Sequence, residues 1–171
     1  VLAVEVCRAL SDCGYAISEE ALRQGLRETR WPGRFTVLGK KPLFVADGAH
    51  NEDAAKKLAA SMEFYFTNRR IIFIMGILKD KAYEKIIELT AGYADQILTV
   101  TPPDNPRAMS SYELAREVAR VHPRVTAVDS LEEAVEISHL LADREDVILA
   151  FGSLSYLGRL MEIMERRSGK R

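Results

Sequence analysis

Two kinds of hydrophobic pattern follow one another along the chain. At its start, Leu2, Ala3, Val6, Cys7, Ala9 and Leu10 recur at helical spacing, and Gly14 closes that run. Ser18 then precedes Glu19 and Glu20 as the cap of a second helix. Beyond Trp31-Pro32-Gly33-Arg34 the pattern changes to short, β-rich apolar runs at 35–38, 43–47, 71–76, 96–100, 125–128 and 147–151. Most are continuous instead of alternating, as befits strands covered on both faces. Gly39-Lys40-Lys41-Pro42 reads as a hairpin turn, which makes one edge strand antiparallel. Amphipathic stretches near 52–64, 81–91, 111–121, 131–142 and 155–167 predict helices in the gaps. Ser110 with Glu113, and Ser130 with Glu133, have capping-box spacing. The pattern therefore predicts an α/β fold: a doubly wound, mostly parallel six-stranded sheet with one antiparallel edge strand, preceded by two helices. A boundary near residue 30 separates a helical segment, 1–30, from the sheet-bearing segment, 31–171. The terminal run 166–171 is read as a frayed, solvated basic tail.

Composition narrows the field. The 171 residues carry 24 Lys+Arg against 25 Asp+Glu, a net charge of −1, with 47% apolar residues. That balance fits a folded globular protein and disfavours a nucleic-acid binder held by a basic surface. No apolar run approaches the roughly 20 residues of a membrane-spanning helix. Cys7 and Cys13, the only cysteines, lie near no histidine and form no CxxC pair, so neither a disulfide framework nor a zinc site is expected. The sequence opens on Val1 with no signal-peptide pattern and is read as a piece of a longer chain.

Open parallel sheets bind ligands beyond the carboxyl ends of their strands. Five stretches fall there: Asp47-Gly48-Ala49-His50-Asn51, Gly76-Ile77-Leu78-Lys79-Asp80-Lys81, residues 101–107, Asp129-Ser130 and Gly152-Ser153-Leu154-Ser155. Asp47 stands where an apolar strand leaves the core and suits a ribose hydroxyl or an amine better than a helix cap; Asn51 is the expected cap. His50, on a strand-to-helix loop, suits either a proton carrier or a donor to an anion. His122 and His139 have no such context and are expected to be structural. Arg107 is a candidate carboxylate fork or an ordinary surface arginine. Lys81 either binds an anion or pairs with Asp80. No G-x-x-x-x-G-K-[ST] loop and no G-x-G-x-x-G fingerprint occurs, and no acidic cluster suggests a metal site. The stretch has the makings of half a site.

WPGRF at 31–35, DGAHN at 47–51, GILKDK at 76–81, NPRA at 105–108 and GSL at 152–154 together resemble the carboxy-terminal part of folylpolyglutamate and dihydrofolate synthases, within the Mur ligase superfamily. The resemblance runs from about residue 1 to about residue 160. It implies that 1–30 are the last helices of an ATP-binding domain and that the rest is a Rossmann-like, glutamate-side domain. The reaction so implied joins L-glutamate to dihydropteroate or folate, using ATP and Mg2+ through an acyl phosphate. Arg34 would face the ATP phosphates and Asp47 the ribose. His50 and Ser153 would lie on the glutamate side, with Arg107 a weaker candidate for its carboxylate. The resemblance assigns no catalytic residue and no metal ligand to this stretch, and the Mg2+ falls to the missing ATP-binding part. Ala82 in place of a frequent Asp, and Ser155-Tyr156 in place of a frequent Tyr-Leu, depart from the family pattern. The full enzyme is expected to be a cytoplasmic monomer that binds neither nucleic acid nor membrane, and the present stretch alone to be inactive. Competing readings are the equivalent domain of another Mur-type amino-acid ligase and a free-standing doubly wound binding module.

Overall fold

A computed structural model describes residues 2–29 and 31–169. The chain divides into two compact units between Pro32 and Gly33. Arg30, on which the expected boundary falls, lies outside the described residues.

The first unit is a pair of helices, α1 (Leu2–Asp12) and α2 (Glu19–Glu28). Gly14 takes the left-handed conformation (φ 92°) that ends α1, and the Ser18 side chain accepts from Ala21 N–H to cap α2. Neither helix has a buried residue, although Leu2, Val6, Leu10 and Leu26 give them an apolar face.

The second unit holds β1 (Thr36–Lys40), β2 (Leu43–Ala46), α3 (Glu52–Tyr65), β3 (Ile71–Met75), α4 (Tyr83–Thr90), β4 (Gln96–Thr99) and α5 (Ser111–Val118). It continues through β5 (Val125–Ala127), α6 (Leu131–Leu141), β6 (Val147–Phe151) and α7 (Leu157–Gly169). The six strands run in the order β1-β2-β6-β3-β4-β5, and only the β1/β2 pair is antiparallel. The doubly wound expectation therefore holds. The hairpin is tighter than expected, because a bulge between Val37 and Gly39 lets Gly39 and Lys40 pair with Phe44 and Leu43.

Continuous apolar strands serve two cores, because successive side chains point to opposite faces. Val45, Phe73, Met75, Ile97, Leu149 and Phe151 meet α3, α4 and α5 on one side. Phe44, Ala46, Ile74, Leu98, Ile148 and Ala150 meet α6 and α7 on the other. At the amino end of the sheet, Arg69 donates to the Glu145 and Asp146 carbonyls, and Arg70 bonds Asp95 and the Leu141 carbonyl. That edge is sealed by its own side chains, and the carboxyl edge carries the loops.

Two helix ends differ from the sequence expectation. Ser110 and Glu113 form the full reciprocal capping box of α5. At α6 only half of the box forms: Ser130 accepts from Glu133 N–H, but the Glu133 carboxylate reaches one residue further back, to Asp129 N–H at 2.7 Å. The basic tail is not frayed through Gly169. α7 continues to that residue, with Arg166 and Arg167 favourably placed at its negative end and the Ser168 hydroxyl donating to the Met164 carbonyl. Lys170 and Arg171 lie outside the described residues.

Candidate functional site

Three loops at the carboxyl edge approach one another closely because glycine stands at each approach. A side chain at Gly48 would place its Cβ 2.2 Å from Leu154 Cδ2 and 3.1 Å from the Gly33 carbonyl. Gly152, at φ 115°, would place its Cβ 2.6 Å from the Gly76 carbonyl. A Cβ at the first position would need the end of the Leu154 side chain to move aside, whereas glycine is required by both space and backbone at the second.

Asp47 follows β2, and its carboxylate is committed locally. Oδ2 accepts from Phe35 N–H and Oδ1 from Ala49 N–H, each at 2.8 Å. Phe35 is a non-glycine residue in the left-handed region (φ 44°), a conformation that costs on the order of 1–3 kcal/mol and persists only where neighbours impose it. Asp47 is one such neighbour, and it thereby fixes the loop on which Arg34 projects. Arg34 itself is exposed and makes no ion pair among the described residues. Each Asp47 oxygen accepts one hydrogen bond among the described residues and so keeps acceptor capacity for another.

Asn51 is the expected cap of α3, accepting from Ala54 N–H. His50 sits between Asp47 and this cap, half-buried, with Nδ1 2.7 Å from the Gly48 carbonyl. A carbonyl only accepts, so Nδ1 bears the hydrogen and the neutral ring keeps Nε2 as an acceptor. Donation to an anion, one of the two uses expected of His50, is open only to the imidazolium.

On the β6 side, Ser153 is buried; its Oγ accepts from Ser155 N–H at 3.2 Å and lies 2.8 Å from the Ser155 hydroxyl. The two hydroxyls form a relay with one O–H to spare. Tyr156, which with Ser155 departs from the family pattern, is fully buried and donates to the Phe151 carbonyl at 2.6 Å. Burial pushes its hydroxyl far above the ordinary tyrosine range, partly offset by a backbone hydrogen bond from Gly76. This side chain belongs to the core and has no part in ligand chemistry.

The β3–α4 and β4–α5 loops are sewn together. Lys79 N–H donates to the Arg107 carbonyl, Met109 N–H to the Ile77 carbonyl, and Leu78 bridges Ala108. Arg107 pairs with Asp80 at 2.9 Å, and its own N–H donates to the Asn105 side chain. Asp80 therefore pairs with Arg107 and not with Lys81, which has no ion-pair partner among the described residues. Lys79 instead reaches Glu113 at 3.3 Å. The Ser110 N–H and hydroxyl, ahead of Lys79, hold the Glu113 carboxyl below the usual carboxylate range.

These loops border an open pocket of 190 Å3 lined by His50, Lys81, Asn105, Arg107, Ser153 and Ser155, with Leu78 and Leu154 as its apolar surface. It is smaller than the roughly 300–1,000 Å3 of drug-sized sites, and its size suits an amino acid. His50, Arg107 and Ser153, singled out on three separate loops by sequence, share this one cavity. Arg34 and Asp47 do not line it. Lys81 and Ser155 are the additions; position beyond a strand end had flagged both loops, but nothing in the sequence separated Lys81 from Asp80's pairing. A neighbouring 640 Å3 cavity shares Asn105 and Ser155 but is lined by Asp104, Asp129 and Glu132, the last paired to Arg159. His122 and His139 behave as structural residues: His122 Nε2 meets the Ala94 carbonyl, and His139 stacks on Phe44.

A doubly wound sheet whose carboxyl-end loops gather two cations, a histidine and two serines around one pocket defines a domain of the kind that takes its ligand at that edge. The chain belongs to the Mur ligase family: residues 33–154 match the model described as "Mur ligase, glutamate ligase domain". It is 32% identical over 82% of its length to the dihydrofolate synthase/folylpolyglutamate synthase of Bacillus subtilis (strain 168), covering 32% of that protein. The structure of E. coli FolC in complex with ADP superimposes with a TM-score of 0.85 at 26% identity, over 98% of this chain and 39% of that one. A bifunctional folylpolyglutamate synthase/dihydrofolate synthase with Mn, AMPPNP and L-glutamate bound gives 0.76 at 26% identity, over 90% and 36%. The chain spans about a third of the length of the Bacillus subtilis and Escherichia coli relatives it matches. Among the described residues no helix is long and apolar enough to cross a membrane, and no three His, Cys, Asp or Glu side chains form a metal-holding group.

Proposed function

We propose that this chain is the carboxy-terminal, amino-acid-side part of an ATP-dependent ligase that joins L-glutamate to dihydropteroate or folate through an acyl phosphate. The observation that carries this reading is the convergence of Lys81, Arg107, His50 and Ser153 on a single pocket of amino-acid size. Two cations suit the two carboxylates of glutamate, and the Ser153–Ser155 hydroxyls suit orientation. Arg34, exposed beside the strained Phe35, would reach toward ATP phosphates, and the outer lone pairs of Asp47 toward the ribose. The relatives' additional length supports a second, nucleotide-holding part in the same polypeptide. Residues 1–30, whose two helices have an apolar face and no buried residue among those described, would be the end of that part. The same reading carries the expectation that the full-length enzyme is a monomer with a cytoplasmic location. ATP would supply the activation of the carboxylate. Mg2+ fits no donor set among the described residues, so it would rest on the nucleotide-holding part, and no step is routed through it here.

In this reading, closure of the two parts keeps water from the acyl phosphate while the pocket orients the amine. ADP release by the full-length protein, measured with dihydropteroate, dihydrofolate or tetrahydrofolate and a panel of amino acids, tests it. The expected result is release only when glutamate and a pteroyl acid are both present, and none from the 171-residue chain alone. Release driven by another amino acid, or by a peptidoglycan precursor, would move the chain to a different Mur-type ligase.

A further inference from the structure

We propose that the cavity between the β1–β2 turn and the ends of α6 and α7 is a second ligand site, one for a small anion that carries two or more phosphates. It lies apart from the 190 Å3 pocket and is independent of the ligase reading.

The turn stands at the amino end of β2, outside the seal that Arg69 and Arg70 make ahead of β6 and β4. Leu38 packs against the core shared with α6 and α7, and a Cβ at Gly39 would lie 3.5 Å from Met164 Cε, so the hairpin rests on the end of α7. Between them is an open cavity of 250 Å3, with Leu38, Pro42 and Met164 among its apolar surfaces. Lys40 and Lys41 reach it from the turn, His139 from α6 and Arg167 from α7. Among the described residues no Asp or Glu lines it. His139 is held there on two sides, its ring stacked on Phe44 at 5.7 Å and its Nδ1 2.8 Å from the Val135 carbonyl.

A solvated basic run keeps its side chains apart in water, whereas these come together from three remote stretches of chain. Other cations near the surface of this unit find carboxylates: Arg70 and Arg124 share Asp95, and Arg159 meets Glu132. Lys40, Lys41 and Arg167 make no ion pair among the described residues. The negative end of α7 does not account for Arg167, because Arg166 already stands in that last turn, 3.8 Å from Glu162. Like charges gathered around one cavity repel, and an anion entering it removes that repulsion.

The donors also select the kind of anion. A planar, singly charged carboxylate is satisfied by one guanidinium fork. Cations arriving from a turn and from a helix match the several oxygens and charges of a phosphate chain, toward which lysines act as point charges. At 250 Å3 the cavity falls below the roughly 300–1,000 Å3 of drug-sized sites, which suits free pyrophosphate or the phosphate end of a nucleotide.

The test is calorimetric titration of the full-length protein with pyrophosphate, ADP or citrate, at low ionic strength and without divalent metal. Lys41→Ala, Arg167→Ala, the double variant and Arg34→Ala are compared with the wild type, the last because Arg34 stands at the other end of β1 and is assigned to the nucleotide. Lys41→Ala and Arg167→Ala should each weaken one pyrophosphate-binding event about threefold to tenfold, and the double variant should lose it, while Arg34→Ala leaves it unchanged. Citrate, of similar charge but built of carboxylates, should bind there more weakly than pyrophosphate. A second ADP per chain that responds to the same two variants would assign the site to nucleotide phosphates, and its absence to the free anion. Equal pyrophosphate affinity in the wild type and the double variant, loss of binding in Arg34→Ala alone, or citrate held as tightly as pyrophosphate would overturn the proposal. Because binding is read without turnover, either result stands whether or not the protein proves to be a glutamate ligase.

Discussion

Asp47 and Arg34 stand thirteen positions apart and are joined by one hydrogen bond to Phe35 N–H. The pair predicts the same loss of ATP use but different stabilities from equally simple truncations. Arg34 is exposed and makes no ion pair among the described residues, so Arg34→Ala should leave stability within about 0.5 kcal/mol while weakening ATP use. Asp47→Ala removes two charge-assisted bonds, each worth roughly 1.5–3 kcal/mol when buried and less at this half-buried position, and should destabilise as well as weaken ATP use. Urea unfolding beside ATP kinetics separates the two; equal stability in both variants would show that the brace does not matter. The sequence made Asp47 visible because a carboxylate at a strand end is chemically conspicuous. It could not show that both oxygens face backbone, since that depends on Phe35 adopting a positive φ twelve residues earlier. His50 was likewise visible as a position, whereas its tautomer required the Gly48 carbonyl at 2.7 Å.

The loops that carry these residues depend on glycine in two different ways. Gly152→Ala drives a Cβ into the Gly76 backbone carbonyl at 2.6 Å with φ at 115°, and nothing there can yield without separating β3 from β6 at their ends. Gly48→Ala meets the end of the Leu154 side chain, which is 46% exposed and able to swing outward. We expect Gly152→Ala to lower the melting temperature strongly. Gly48→Ala should cost less stability but raise the glutamate KM, because Leu154 and His50 both line the pocket. Thermal unfolding and glutamate kinetics on the full-length enzyme check the contrast, and a reversed order would contradict it. At this scale the strands and helices were legible from periodicity, because continuous apolar runs such as Ile71–Met75 leave few alternatives. Helix ends were less so. Glu133 satisfies Asp129 in place of Ser130, and α7 outlasts its basic residues, because local hydrogen bonds decide ends that periodicity only brackets.

For the molecule as a whole, the sheet has one structural edge and one functional edge. The amino end is closed by Arg69 and Arg70 on backbone and carboxylate groups, while the carboxyl end brings residues from four separated loops into one 190 Å3 pocket. That division follows from parallel topology, and the sequence order of the strands was enough to anticipate which edge would bind. It was not enough to anticipate the Asp80–Arg107 pair or the freedom of Lys81, which depend on how the 105–109 segment pairs with 77–79. The central claim is that the pocket seats the amino acid while Arg34, outside it, serves the nucleotide. The most direct measurement is the KM for glutamate and for ATP, side by side, in full-length Lys81→Ala, Arg107→Ala and Arg34→Ala. Loss of one charge-assisted contact should raise the affected KM about tenfold to over a hundredfold. The account predicts a rise for glutamate alone in the two pocket variants and for ATP alone in Arg34→Ala; a rise in the ATP KM of the pocket variants with glutamate unchanged would contradict it.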